Sequence, residues 1–158
     1  MQQLFIKMTL DVWNKELSSA GNLFDSLSDE QLLKEIAPGK NTGIYLLGHL
    51  VAVHDGMLPL LGFGEKLFPE LEDIFIKSPD KSGKQFPSVA ELKACWGKVN
   101  EALAKGFSKT TAEEWFQKHS AVSSEDFAKE PHRNKLNLVI NRTNHLAYHR
   151  GQVVLLKN

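Results

Sequence analysis

The sequence predicts an all-α protein, a four-helix bundle with short extra helices in the connections between the long ones. Apolar side chains recur every three or four residues along four long segments, which is the pattern of amphipathic helices. Capping-box sequences stand where several helices would begin, and no segment shows the apolar–polar alternation of a strand. The 158 residues are expected to form a single domain, 1–158.

The first part of the chain is predicted to hold two of the long helices. The first covers residues 3–27, where the apolar positions follow helical spacing. Ser28 and Gln31 form a capping box that begins a short helix ending near residue 36. The second long helix covers residues 42–62. Three glycines in it permit close approach of a neighbouring helix: Gly43, Gly48 and Gly56.

A long connection separates the second long helix from the third. Residues 63–87 contain several prolines and glycines among polar residues, with one helical turn expected near residues 70–76. Connections of this length in small domains are often functional or mobile. Ser88 and Glu91 then form a second capping box, which begins a helix over residues 88–108.

The last part of the chain is predicted to hold a short helix and the fourth long one. Thr111 and Glu114 form a third capping box, followed by two aromatic residues on a short helix. Residues 119–134 are polar and are expected to be irregular. The fourth long helix is expected over residues 134–156.

The composition excludes several classes of function. Nineteen basic residues balance nineteen acidic ones, so the chain has no electrostatic reason to bind nucleic acid or an anionic membrane. Residues 43–63 are apolar, but His49, His54 and Asp55 interrupt them, which favours a helix buried in a bundle over a membrane span. The single cysteine fits a reducing compartment, and no signal peptide is recognisable, so we expect a cytoplasmic protein.

Two histidines on the fourth long helix are the first candidates for a functional site. His145 and His149 are four residues apart, which places them about 40° apart on one face of a helix, one turn above each other. Two imidazoles in this arrangement can hold a divalent metal ion. The alternative is two ordinary histidines that share this spacing by chance. The flanking apolar residues favour the metal, because a buried imidazole needs a partner.

A metal ion needs at least one further ligand, and His49 on the second long helix is the best candidate. The alternative for His49 is a histidine hydrogen-bonded in the core. His54 lies about 140° around the same helix and cannot face the same ion. It is expected to face a substrate pocket, pair with Asp55 or lie in solvent. Asn141 lies one turn before His145 and either orients a ligand or is an exposed polar residue.

A site of three histidines leaves coordination positions open, which is typical of catalytic metals. An open position takes water, whose pKa the ion lowers toward neutrality, or a thiol, which it deprotonates. Three-histidine sites suit zinc, nickel, iron or copper, and the ligand type alone does not separate these metals. We expect zinc or nickel, with iron, manganese and copper also compatible. No catalytic acid or base can be named from the sequence.

Two motifs of the chain resemble the DinB/YfiT-like superfamily. The first is Gly43-Ile-Tyr-Leu-Leu-Gly-His49-Leu, and the second, more specific one is His145-Leu-Ala-Tyr-His149-Arg-Gly-Gln152. The order and lengths of the predicted helices and the placement of both motifs agree with that family over most of the chain. The resemblance implies a four-helix bundle that binds a divalent metal through His49, His145 and His149.

The resemblance also implies a range of functions. The family is one of metal-dependent hydrolases and of thiol-dependent transferases or isomerases, which use low-molecular-weight thiols such as bacillithiol or mycothiol. It implies a small-molecule substrate and a homodimer. A metal-dependent enzyme is therefore the leading hypothesis. The alternatives are a non-catalytic bundle that binds a metal or ligand, and a bundle whose role is dimerisation alone.

Overall fold

A computed structural model describes residues 1–157 and shows a chain built from helices. The four long helices are α1 (Gln2–Ser26), α3 (Gly43–Leu61), α5 (Val89–Phe107) and α8 (Lys135–Val153). The four short helices are α2 (Asp29–Leu32), α4 (Glu70–Phe75), α6 (Ala112–Trp115) and α7 (Ser124–Lys129), and a 3₁₀ turn, Val154–Lys157, follows α8. Within the described residues no β-strand occurs, only two isolated bridges. The predicted all-α architecture is confirmed.

The long helices begin and end at residues that satisfy their terminal backbone groups. The side chain of Thr42 accepts from the backbone N–H of Tyr45 at the start of α3, and Gly62, with φ of 79°, ends that helix. The capping box of Ser88 and Glu91 is present at the start of α5. These local signals explain why the predicted bounds of the long helices agree with the structure.

Helix α2 is shorter than predicted. It ends at Leu32 rather than near residue 36 because the chain turns back on itself. The backbone N–H of Ile36 donates to the carbonyl of Asn41 at 3.0 Å, and that of Gly43 donates to the carbonyl of Lys34 at 3.1 Å. These hydrogen bonds between the two sides of the turn replace the hydrogen bonds that would continue the helix.

The prediction that residues 119–134 are irregular is wrong for part of this segment, where helix α7 forms. The side chain of Ser123 accepts from the backbone N–H of Asp126 at 3.0 Å, so Ser123 caps the helix. No side chain of α7 is fully buried. Because its apolar stripe is short, its sequence lacks the periodicity that marks a packed helix.

Helix α3 lies at the centre of the fold. It packs against α4, α5 and α8, while α1 packs against α8. By length and composition α3 could also cross a membrane, but 72% of its apolar window is buried inside the protein, as in the core helix of a bundle. The helix that carries His49 therefore lies against the helix that carries His145 and His149.

Two glycines of α3 permit close packing on its surface. A Cβ at Gly48 would lie 2.4 Å from the ring of Phe75, and a Cβ at Gly43 would lie 2.4 Å from the side chain of Leu156. The predicted close approach is thus correct at these two glycines and wrong at Gly56, which has no neighbour within 4 Å. The contact at Gly48 holds the end of α4 beside His49.

Candidate metal centre

Two long helices bring three histidines together. His49 lies on α3, and His145 and His149 lie one turn apart on α8. Nε2 of His145 is 3.2 Å from Nε2 of His49 and 3.0 Å from Nε2 of His149. One ring nitrogen of each residue lies within 4.8 Å of the other two. We call these three side chains the histidine cluster.

The outer nitrogen of His49 is held by the backbone. Its Nδ1–H donates to the carbonyl oxygen of Phe75 at 2.9 Å. Since a carbonyl oxygen only accepts, the proton of the neutral ring lies on Nδ1, and Nε2 keeps a lone pair. Tyr45, one turn earlier on α3, stacks on the His49 ring with an interplanar angle of 13°. Its hydroxyl donates to the carbonyl of Ser78 at 2.8 Å, so both rings have fixed orientations.

The outer nitrogen of His149 is held by a side chain. Its Nδ1–H donates to Oε1 of Gln152 at 2.7 Å. The amide nitrogen of Gln152 faces the hydroxyl of Tyr148 at 3.3 Å, which turns the amide oxygen toward the imidazole. The Nε2 atom of His149 therefore also keeps its lone pair and faces His145.

The three rings are neutral near pH 7. Burial above all, and then the charges of His149, His49 and Arg142, lower the pKa of His145 to about 4. Burial is also the main cause that lowers the pKa of His49 and of His149, although the hydrogen bonds to Phe75 and Gln152 act in the opposite direction. Neutral imidazole is the form that binds metal ions.

Protons alone cannot satisfy the cluster. Two lone pairs, on His49 and His149, point toward Nε2 of His145. A single proton on that atom would serve one neighbour and leave the other unpaired. A cation at the common centre satisfies all three nitrogens at once. The donor set therefore fits a metal ion on the geometry and hydrogen bonding of this chain.

The spacing of the nitrogens fits a metal ion quantitatively. Three nitrogens at about 2.1 Å from one ion lie about 3.0 Å apart in an octahedral face and about 3.4 Å apart in a tetrahedral one. The Nε2–Nε2 distances from His145 to His149 and to His49, 3.0 and 3.2 Å, fall in that range. Either geometry leaves at least one position for a substrate atom or water.

Comparisons with known proteins identify the family of the chain. A family model described as the DinB superfamily matches residues 16–153. The chain belongs to the DinB superfamily. A solved structure of a DinB-like protein from Bacillus cereus matches with a TM-score of 0.67 and 23% sequence identity, over 94% of this chain and 87% of that chain. No curated protein matches the chain.

Membership in the DinB superfamily confirms the resemblance that the two histidine motifs carry. The match to the Bacillus cereus protein, at its low identity, concerns the helical fold alone. Proteins of the DinB superfamily bind metal in general, and within the described part of this chain the histidine cluster is a group of side chains that could hold a metal ion.

His54 lies in the helix core of this DinB chain. Its ring is 5.0 Å from that of Trp13 and 4.9 Å from that of Trp96, and its Nδ1–H donates to Oδ1 of Asn100 at 2.8 Å. Burial lowers its pKa to about 4. Pairing with Asp55 and exposure to solvent, two of the predicted alternatives, are wrong. The carboxylate of Asp55 instead accepts two backbone N–H groups of the following connection, at 2.7 and 2.9 Å.

Asn141 is exposed, and its side chain makes no hydrogen bond to the histidine cluster within the described residues. Of the two alternatives for Asn141, the structure therefore shows the exposed polar residue. The next residue, Arg142, is turned by about 100° around α8, is half-buried and lines a cavity beside the histidines.

A cavity of about 370 Å³ opens on two members of the histidine cluster, His49 and His145. We call it the histidine cavity. Its lining includes the apolar side chains of Val53 and Leu60 and the charged side chain of Arg142. A small molecule in this cavity can therefore reach the point on which the three nitrogens converge.

Sequence reasoning missed two groups that belong to this site. The carbonyl of Phe75 carries no sequence signal, because any residue supplies a carbonyl and only the fold brings this one to His49. The sequence does place Arg142 one turn from His145, on the same apolar face of the helix. A cation on that face was the signal that could have identified Arg142 as part of the site.

Proposed function

We propose that His49, His145 and His149 hold one divalent metal ion, with zinc or nickel as the best candidates. The observation that carries this proposal is the direction of the lone pairs. Two Nδ1 atoms are committed to acceptors, at Phe75 and at Gln152, so the Nε2 atoms have no partner except one another or a cation.

We further propose that the centre acts on a small molecule bound in the histidine cavity, in a thiol-dependent transfer or isomerisation or in a hydrolysis. A bound divalent ion would supply Lewis acidity, which lowers the pKa of a coordinated thiol or water. His49 and His145 present the open side of the site to the cavity, while Phe75 and Gln152 hold the ligand rings in place. The cavity favours catalysis over a bundle that binds metal without acting on a substrate.

The charges of the cavity favour thiol chemistry over hydrolysis. Its carboxylate, Glu72, is paired with Lys66 and lies 3.1 Å from the ammonium of Lys77. Hydrogen bonds to these lysines lower the pKa of Glu72, so it is a weak base. Without a nearby base, a metal-bound water loses its proton less readily than a metal-bound thiol, whose pKa is far lower before it binds, so the thiol reacts as its anion once its proton is lost to solvent.

Metal analysis and a thiol-conjugation assay test the proposal in sequence. Protein purified without a histidine tag should contain about one zinc or nickel per chain, and His145→Ala should contain almost none. The metal-loaded protein is then assayed with cysteine, glutathione, bacillithiol and mycothiol against a panel of electrophiles. His132→Ala is the matched control, because His132 is exposed and lies outside the cluster.

Each result has a definite meaning. Turnover that depends on the metal and is absent in His145→Ala supports the enzyme. A metal that binds without any turnover across the panel supports the non-catalytic alternative. Metal content that is equal in wild type and His145→Ala contradicts the proposed centre. A cytoplasmic location and a homodimer remain predictions that these experiments do not address.

A further inference from the structure

Arg142 is a half-buried cation without an acceptor in the described part of the chain. Its Nε atom is buried and has no hydrogen-bond partner, and burial alone lowers its pKa, with no carboxylate acting on it. Each of the two other arginines has a carboxylate acceptor: Arg133 lies 3.1 Å from Glu130, and Arg150 lies 2.9 Å from Glu16. A guanidinium that is desolvated without a partner costs free energy, which a ligand can recover.

The guanidinium lies where a ligand would be useful. Arg142 lines the histidine cavity together with His49 and His145, one turn along α8 from the latter. The walls of the cavity include Val53 and Leu60, whose side chains offer apolar contact but no hydrogen bond. A molecule held by Arg142 would therefore have its other end beside the histidine cluster.

The charge balance of the cavity favours an anion. Glu72 is the acidic residue in its lining, and it is committed to Lys66 and Lys77. Arg142 thus keeps its positive charge uncompensated. The planar guanidinium matches a carboxylate or phosphate group in a two-pronged arrangement, which an ammonium group cannot do.

We propose that Arg142 binds an oxyanion, a carboxylate or a phosphate, on the small molecule that occupies the histidine cavity, and so selects acidic substrates. The inference rests on the proposed function, because it takes this cavity as the substrate site. One guanidinium and an apolar wall fit a small acid with a short apolar body, held at its anionic end. Arg142 is a binding residue in this account, and the histidines remain the metal ligands.

Nuclear magnetic resonance of the arginine Nε–H groups tests the inference directly. The chain has three arginines, so the ¹⁵N-labelled, zinc-loaded protein gives three such signals, and Arg142→Gln identifies the relevant one. The probes are butyrate, butyl phosphate and neutral butanol, which share one apolar tail. The Arg142 signal should shift with the two anions and not with butanol. The anion that binds more tightly identifies the carboxylate or the phosphate as the preferred group.

Variants separate anion binding at Arg142 from binding elsewhere. Arg142→Gln should weaken the binding of the preferred anion by about tenfold or more. The affinity of Arg142→Lys should lie between those of the wild type and of Arg142→Gln. Arg133→Gln removes the same charge from a partly exposed residue outside the histidine cavity, and this variant should bind the anion as wild type does. Thermal unfolding adds a second readout. The ligand-free Arg142→Gln protein should melt no lower than wild type, because it loses an unpaired charge rather than a contact.

The two proposals fail on different measurements. Absence of zinc from the protein contradicts the metal centre, and the same sample still reports whether Arg142 binds the anions. Anions that leave the Arg142 Nε–H signal unmoved overturn the inference. So does an Arg142→Gln variant that binds both anions with wild-type affinity, which would place them on the metal ion or on the surface.

Discussion

The contact between Gly48 and Phe75 makes a sharp prediction about how the ligand rings are held. The ring of Phe75 covers Gly48, and the carbonyl of Phe75 accepts from His49, the next residue along α3. A methyl group at residue 48 would lie 2.4 Å from two atoms of that ring and 2.6 Å from a third. Because the ring is completely buried, Gly48→Ala must displace it and disturb the backbone that orients His49.

The expected size of the effect follows from two opposing contributions. Alanine in a helix interior is more stable than glycine by about 0.5–1 kcal/mol. Overpacking of a filled core costs about 1–3 kcal/mol. We therefore expect a net loss of about 1–2 kcal/mol, which lowers the melting temperature of a chain of this length by about 2–8 °C. A shifted partner of a metal-binding histidine typically costs about 10–100-fold in metal affinity.

Gly97→Ala is the matched control. Gly97 lies inside α5, is exposed and has no neighbour within 4 Å of an added Cβ. The free energy of unfolding of the Gly97→Ala variant should rise by about 0.5–1 kcal/mol, and its zinc affinity should equal that of the wild type. Thermal unfolding and competition with a zinc chelator measure both quantities. If Gly48→Ala proves as stable as Gly97→Ala and binds zinc equally well, then Phe75 does not hold His49 in the way described.

Three further predictions concern other parts of the molecule. Gln152→Leu removes the acceptor of His149 and should lower zinc affinity by about 10–100-fold, measured by chelator competition. His54 has its folded pKa lowered to about 4, below the unfolded value. Its contribution to the free energy of unfolding is therefore complete above about pH 6.5 and is lost at up to about 1.4 kcal/mol per pH unit as the pH falls toward 4. Denaturant titrations should show a shallower pH dependence in His54→Gln. The predicted homodimer should give twice the mass of one chain in light scattering.

The parts of the fold that sequence reasoning predicted correctly depend on local interactions. Each of the long helices has an apolar stripe, and the capping boxes at Ser28, Ser88 and Thr111 all form as expected. Within α8, the four-residue spacing of His145 and His149 guarantees a shared face before any tertiary contact is known.

The parts that sequence reasoning missed depend on contacts between elements far apart in the chain. His54 finds its hydrogen-bond acceptor in Asn100 on another helix, and no pattern near His54 predicts that partner. The carbonyl of Phe75 reaches His49 only because α4 packs on α3 at Gly48. Helix α7 was missed because its apolar stripe is weak, although its N-cap residue, Ser123, was present in the sequence.

The account rests on three imidazole nitrogens that share one ion, and X-ray absorption at the metal edge measures that arrangement directly. Tag-free protein with bound zinc should show three nitrogen neighbours from imidazole at about 2.0–2.1 Å. The same spectrum of His49→Ala should lose one of them together with most of the zinc affinity. A spectrum without imidazole neighbours, or one that is identical in wild type and His49→Ala, would contradict the proposed centre.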